Sequence, residues 1–228
     1  MSTISILNKL NNYPVFTLKD IQRITKYSAN YSKLLVYRLK KKNLIYFIED
    51  GAYTTIDDIN KIATNIITPS YLSYWYASYY KGYTEQIVNS VFIATKVRKK
   101  EINFQNYKIK FINTRYLFGY YKEKDIFIVD DNKLLIDALL RPKTFGNFEE
   151  ILKVVKNANF NKDKIVSYLK IINNISLIRK VGFLLEKYRS INIFDEFDNL
   201  TNSNYIILNS FYKKYKYINK KWRIKYDW

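Results

Sequence analysis

Glu49-Asp50-Gly51 stands between two short apolar runs, Leu44–Ile48 and Tyr53–Ile56, directly after a segment with a helical period. A Gly-containing turn between two extended runs predicts a β-hairpin. A hairpin that closes onto helices rather than onto more strands leaves few architectures open to the first 56 residues.

The text before the hairpin predicts three helices. Thr3 to Leu10 places Ile6, Leu7 and Leu10 on one face. Tyr13-Pro14-Val15-Phe16 reads as a turn with a short extended piece, because a residue before Pro avoids the helical region. Thr17-Leu18-Lys19-Asp20 is a helix-start signal, in which the Thr hydroxyl and the Asp carboxylate cap each other's backbone N–H. The helix it opens buries Leu18, Ile21 and Ile24. A third helix spans about Ala29 to Lys42, with Ser32, Leu35, Val36 and Leu39 inward and Asn43 as a left-handed stop. Helix, helix, helix and hairpin in this order predict a winged helix-turn-helix.

The third helix then has a distinct outward surface: Asn30, Tyr31, Lys33, Tyr37, Arg38 and Lys41, with Lys40 and Lys42 beside them. In such folds the second helix of the motif enters the major groove. Asn suits an adenine edge and Arg a guanine edge, while Lys suits phosphates. Residues 29–48 hold five basic side chains and no acid. Glu49 and Asp50 at the hairpin tip predict few phosphate contacts there.

Asp57 to Ile67 reads as a connecting helix ended by Thr68-Pro69, so the domains are expected at 1–68 and 69–228. Ser70 to Lys81 reads as an aromatic helix closed by Gly82. From Val91 the period changes to two: Val91–Ala94, Tyr107–Ile112 and Ile126–Val129 read as strands. Asp130 or Asp131 caps a helix that runs to Leu140, where Arg141-Pro142 ends it. Helices follow at about Phe148–Asn157, Asp163–Asn173 and Ser176–Ser190, then strands at Tyr205–Leu208 and Trp222–Tyr226. The fold class is α+β, with a winged helix-turn-helix before a mixed C-terminal domain of a small sheet and several helices.

Charge speaks to partners. The 228 residues carry 39 Lys and Arg against 20 Asp and Glu, a net of +19, which favours polyanions. Residues 1–68 net +5, residues 96–110 net +5 and residues 205–228 net +6. A secondary polyanion-binding surface is therefore expected from Lys96, Arg98, Lys99, Lys100, Lys213, Lys214, Lys216, Lys220, Lys221 and Arg223, for flanking DNA or RNA.

Neither His nor Cys occurs. Disulfides, the usual zinc sites and His-based catalysis are thereby excluded. Asp130/Asp131, Glu149/Glu150 and Asp195/Glu196/Asp198 are the paired carboxylates available for acid–base work, but helix starts ordinarily use such acids as caps. Lys133 and Asp137, four apart, are expected to pair at the surface. No enzyme activity and no cofactor are expected. No apolar run approaches the roughly 18 residues of a membrane helix, and Met1–Asn12 lacks the pattern of a signal peptide; a cytoplasmic protein is expected.

Ser73-Tyr74-Trp75-Tyr76-Ala77-Ser78-Tyr79-Tyr80-Lys81-Gly82-Tyr83-Thr84-Glu85-Gln86, the strand Val91–Thr95 with its basic run, Phe118-Gly119, and Asp131-Asn132-Lys133-Leu134-Leu135-Ile136-Asp137-Ala138-Leu139-Leu140-Arg141-Pro142 occur in this order. Together with the N-terminal winged helix, this order resembles the AbiEi family of abortive-infection antitoxins over about residues 10–190. Asn132 departs from the family pattern, which commonly has Glu there. The resemblance implies a type IV antitoxin. Its N-terminal domain would bind inverted repeats in its own promoter and repress the operon. Its C-terminal domain would oppose a nucleotidyltransferase-like toxin without a stable complex. The alternatives are a stand-alone winged-helix regulator, or an RNA-binding basic protein whose Lys213–Tyr217 and Lys220–Trp228 stack unpaired bases. No membrane partner is expected, and two copies could meet on DNA.

Overall fold

The computed structural model describes residues 2–198, 200, 204–209 and 215–227. The fold is α+β, with nine α-helices and three small sheets among the described residues. No helix among them is long and apolar enough to cross a membrane. The chain forms two compact units, one of residues 1–72, 89–115 and 122–127, the other of residues 73–88, 116–121 and 128–228.

The first unit opens with α1 (Thr3–Leu10), β1 (Phe16–Thr17), α2 (Leu18–Thr25) and α3 (Ala29–Lys41), followed by the hairpin β2 (Tyr46–Glu49) and β3 (Ala52–Thr54). Local signals set these bounds. Thr17 and Asp20 form the reciprocal capping box at the start of α2. Asn43, at φ 54°, ends α3: its N–H donates to the Lys40 carbonyl at 2.9 Å, and the Leu44 N–H to the Leu39 carbonyl at 3.0 Å. That pair of bonds satisfies the last helical carbonyls. Gly51 supplies the positive φ of the hairpin turn. The extended piece before α2 is β1, which pairs antiparallel with β3, giving the order β1-β3-β2. Ile6, Leu10, Phe16, Ile21, Leu35, Val36, Leu39 and Ile45 form the core beneath. Leu18 and Ile24 pack against it only partly buried.

The rest of the first unit holds α4 (Ile59–Asn65), capped by Asp58, then β4 (Ser70–Leu72), β5 (Ser90–Thr95), β6 (Ile102–Phe104) and β7 (Tyr107–Asn113). The strand order is β6-β7-β5-β4, with β5 and β7 parallel and the other pairs antiparallel. Residues 122–127, from β8 (Tyr120–Glu123) and β9 (Ile126–Val129), also belong to this unit.

Helix was expected over Ser70–Lys81, and here the structure differs. Ser70, Tyr71 and Leu72 are a strand, facing Thr95, Ala94 and Ile93. Strand pairing with residues more than twenty positions away outweighs local pattern. Tyr74 then enters at φ 58°, which no α-helix can pass through. The helix is only α5 (Tyr74–Tyr80), ended at Gly82 as expected. Strands β6 and β8 carry no expectation from the sequence.

In the second unit α6 (Asp131–Leu140) is the central helix, with α5, α7 (Phe148–Asn157), α8 (Lys162–Ile172) and α9 (Ile175–Arg189) packed around it. Residues 132–139 are all buried, the pattern of a helix surrounded by protein. The small sheet that follows has β10 (Ile206–Ile207) parallel and β11 (Tyr217–Asn219) antiparallel to β12 (Ile224–Tyr226). Trp222, 1% exposed, packs so close to α9 that a Cβ on Gly182 would lie 2.1 Å from its ring.

Candidate nucleic-acid interface

α3 begins with Ser28, whose hydroxyl accepts the Tyr31 N–H at 3.3 Å. Its buried stripe is Ser32, Leu35, Val36 and Leu39. With that face turned inward, Asn30, Tyr31, Lys33, Tyr37, Arg38, Lys40, Lys41 and Lys42 are all exposed. At 3.6 residues per turn they fall into three rows. Asn30, Tyr37 and Lys41 form the crest. Tyr31, Arg38 and Lys42 form one flank, lining with Tyr27, Leu35, Leu39 and α1 residues Thr3 and Ile6 a cavity of about 480 Å³. Lys33 and Lys40 form the other flank, where Lys40 Nζ lies 5.0 Å from the Phe47 ring centre on β2. Tyr31 is steadied by Tyr27, edge-on at 4.6 Å between ring centres.

One crest residue escapes the sequence reading. Leu34 lies one turn from Asn30, Tyr37 and Arg38 and two turns from Lys41, and is 41% exposed. An apolar residue in a helical period is ordinarily taken for core, and its neighbour Leu35 is core. The only signal was that Leu34, Leu35 and Val36 span about 200° of the helix and cannot all face inward.

The hairpin tip carries less negative charge than its sequence implies. Glu49 pairs with Lys99 at 2.7 Å. Lys99 is thus half-buried and committed to that carboxylate, whereas Lys96, Arg98 and Lys100 are exposed. These four residues lie in the loop between β5 and β6.

The C-terminal basic residues that are described differ in their surroundings. Lys213 and Lys214 lie outside the described residues. Lys216 and Lys220 are exposed, Lys221 pairs with Glu186 at 2.7 Å, and Arg223 packs against Tyr205.

Of the candidate carboxylates, Asp130, Asp131 and Glu150 are each engaged by several donors. Asp130 caps α6 and accepts from Tyr168 at 2.7 Å and Lys164 at 3.0 Å. Asp131 accepts from Lys81 at 2.8 Å, Tyr83 at 2.7 Å and the Asn159 N–H at 2.8 Å. Burial works to raise the Asp131 pKa, but those three donors outweigh it and hold the carboxyl below its usual range. Glu150, 1% exposed, accepts from Trp75 at 3.1 Å and Lys153 at 2.8 Å. Its pKa is likewise lowered, because hydrogen bonds from Lys153, Thr84 and Trp75 overcome desolvation. The Lys133–Asp137 pair, expected at the surface, is buried at both ends, and the Ser73 hydroxyl donates to Asp137 at 2.8 Å. Four-residue spacing is the same on a buried helix as on an exposed one, and α6 is packed on every side. No group of three or more acids that could hold a metal occurs among the described residues.

No protein-family model matches the chain, and no curated protein is similar to it.

Proposed function

We propose that the chain is a DNA-binding antitoxin of the AbiEi type that represses its own operon. In this reading the first 56 residues are a winged helix-turn-helix: α2 and α3 are the motif, and β2–β3 the wing. The observation that carries it is the outward surface of α3, which presents amide, guanidinium and ammonium groups with no acid among them. Asn30 and Arg38 read base edges, Leu34 meets a thymine methyl, and Lys33, Lys40, Lys41 and Lys42 hold phosphates. Tyr31 and Tyr37 fill the groove beside them. Inverted repeats in the promoter would seat two copies.

The C-terminal domain, 69–228 in this reading, counteracts a nucleotidyltransferase-like toxin without a stable complex; the order of motifs from Ser73 to Pro142 supports this. In this reading it is no enzyme, and the several donors that brace each of Asp130, Asp131 and Glu150 support that.

An RNA-binding reading is favoured by one observation. Tyr217 and Ile218 on β11 are 52% and 53% exposed, next to Lys216, and aromatics interleaved with Lys can stack on unpaired bases.

Titration of the protein with the DNA upstream of its gene, and with a scrambled duplex of equal length, at two salt concentrations separates these readings. Tight, sequence-selective binding is the expected result. Equal and weak binding to both duplexes, with tighter binding to single-stranded RNA, would overturn it.

A further inference from the structure

The acids at the hairpin tip leave the wing poorly suited to a phosphate backbone, and the first unit holds a second basic element against it. Residues 96–101 join β5 to β6, and β6 lies beside β2. The loop is anchored at both ends. At its start the Val97 N–H donates to Thr95 Oγ1 at 3.2 Å, and Asn113 Nδ2 donates to the Lys96 carbonyl at 2.8 Å. At its end Lys99 Nζ meets Glu49 at 2.7 Å. The side chains of Lys96, Arg98 and Lys100, beside and between these anchors, are exposed to solvent. The acid that follows, Glu101, is engaged by Lys108 at 3.0 Å.

We propose that the β5–β6 loop takes the place of the wing tip in contacting duplex DNA, with Lys96, Arg98 and Lys100 on backbone phosphates and the Glu49–Lys99 pair positioning the loop. This rests on the DNA-binding reading of α3. The partner is a DNA backbone, because point charges of one sign on an anchored loop recognise phosphates and carry no base information. The continuity is physical: Lys40 of α3 sits on Phe47 of β2, and Glu49 of the same strand holds Lys99. Helix, strand and loop are thus linked by direct contacts. Glu49 therefore acts as an anchor as well as an anion. Its neighbour Asp50 stays exposed at the tip.

The test uses the full chain and fluorescent duplexes, one from the upstream DNA and one scrambled. K96Q/R98Q/K100Q should lower the slope of log affinity against log salt by about three, since each phosphate contact contributes roughly 0.9. The loss should be equal on both duplexes, so that discrimination between them is unchanged. K122Q/K124Q/K143Q removes the same charge from exposed positions elsewhere and should leave the slope unaltered. An unaltered slope in the loop variant, or an equal fall in both variants, overturns the proposal. E49Q separates positioning from charge. Removing an anion should by Coulomb attraction alone tighten binding, whereas losing an anchor weakens it. Weaker binding is expected, and tighter binding overturns the positioning role of the pair. R38A tells the two readings apart. If it weakens the specific complex while the loop variant is normal, only the loop assignment fails. If the unaltered protein binds neither duplex, the reading of α3 fails with it.

Discussion

Lys133 and Asp137 form an ion pair one turn apart on α6, 0% and 1% exposed, with the Phe118 ring over the ammonium and the Ser73 hydroxyl on the carboxylate. A pair so fully removed from water holds two charges that neither side chain could carry alone. Asp137→Ala should cost about 3–5 kcal/mol, the usual consequence of stranding one buried charge. Lys133→Met combined with Asp137→Leu should cost far less. Urea unfolding of the three proteins checks this, and equal losses in single and double variants would contradict it.

Acid should undo the second unit in a predictable window. Asp131 and Glu150 are both held below their free values of 3.8 and 4.5 in the folded chain. As pH falls, the unfolded chain takes up these protons first. Their stabilisation is complete above about pH 5 and is lost below it, as the folded carboxyls protonate. Glu150→Gln should therefore flatten the fall in melting temperature between pH 5 and pH 3, both about the range where carboxylates titrate. A profile identical to that of the unaltered protein would remove Glu150 from this account.

Gly182 is where Trp222 rests on α9. Gly182→Ala sets a methyl 2.1 Å from the indole, and the ring, 1% exposed, has nowhere to retreat. Overpacking of this kind costs about 1–3 kcal/mol, partly offset by the better helix propensity of Ala, roughly 1 kcal/mol. A net destabilisation with altered tryptophan fluorescence is expected. A more stable protein would show that the ring moves aside.

On α3, three substitutions should behave differently. Arg38→Ala should cost about 1–3 kcal/mol on the specific duplex and relax preference at one position. Lys41→Ala should weaken every duplex alike and lower the salt slope by about one. Leu34→Ala should leave the salt slope unchanged and reduce the preference for thymine over uracil at one position. Binding titrations with matched duplexes measure all three.

Ser32 lies at 0% exposure among the core side chains of α3, and its hydroxyl has no hydrogen-bond partner among the described residues. An unsatisfied buried hydroxyl costs about 1–3 kcal/mol. Ser32→Ala should therefore stabilise the first unit by about 1 kcal/mol, read from its unfolding midpoint, with DNA affinity unchanged. A loss of stability would mean that the hydroxyl finds a partner, such as a bound water.

What could be read in advance divides by distance along the chain. The Thr17–Asp20 capping box, the left-handed stop at Asn43 and the Asp130 cap each depend on residues within one turn, and local spacing records them. Ser70–Leu72 depends on Ile93–Thr95, so no window around Ser70 contains the cause of its extended backbone. Lys133–Asp137 looks the same buried or exposed. Its one clue was the run Leu134, Leu135, Ile136, Ala138 and Leu139, apolar on every side of the helix. On the α3 surface the polar residues were legible because they interrupt an apolar stripe. Leu34 was not, because being apolar it could be assigned to the stripe itself. The Glu49–Lys99 contact joins positions fifty residues apart, and it changes what the charge at the hairpin tip means.

The interleaving of the two units has a consequence for how the protein is made. The first unit takes residues up to 127, and its chain leaves and returns twice. At translation rates of about 5–20 residues per second, roughly 6–25 s pass before its last strand residues exist. Glu49 is made fifty residues, or about 2.5–10 s at these rates, before its partner Lys99, and the early helices wait on a sheet still being synthesised. A nascent chain of this design offers chaperones and proteases a longer exposure than one whose units follow each other in turn. For the same reason, neither unit can be exchanged between genes as a single continuous cassette.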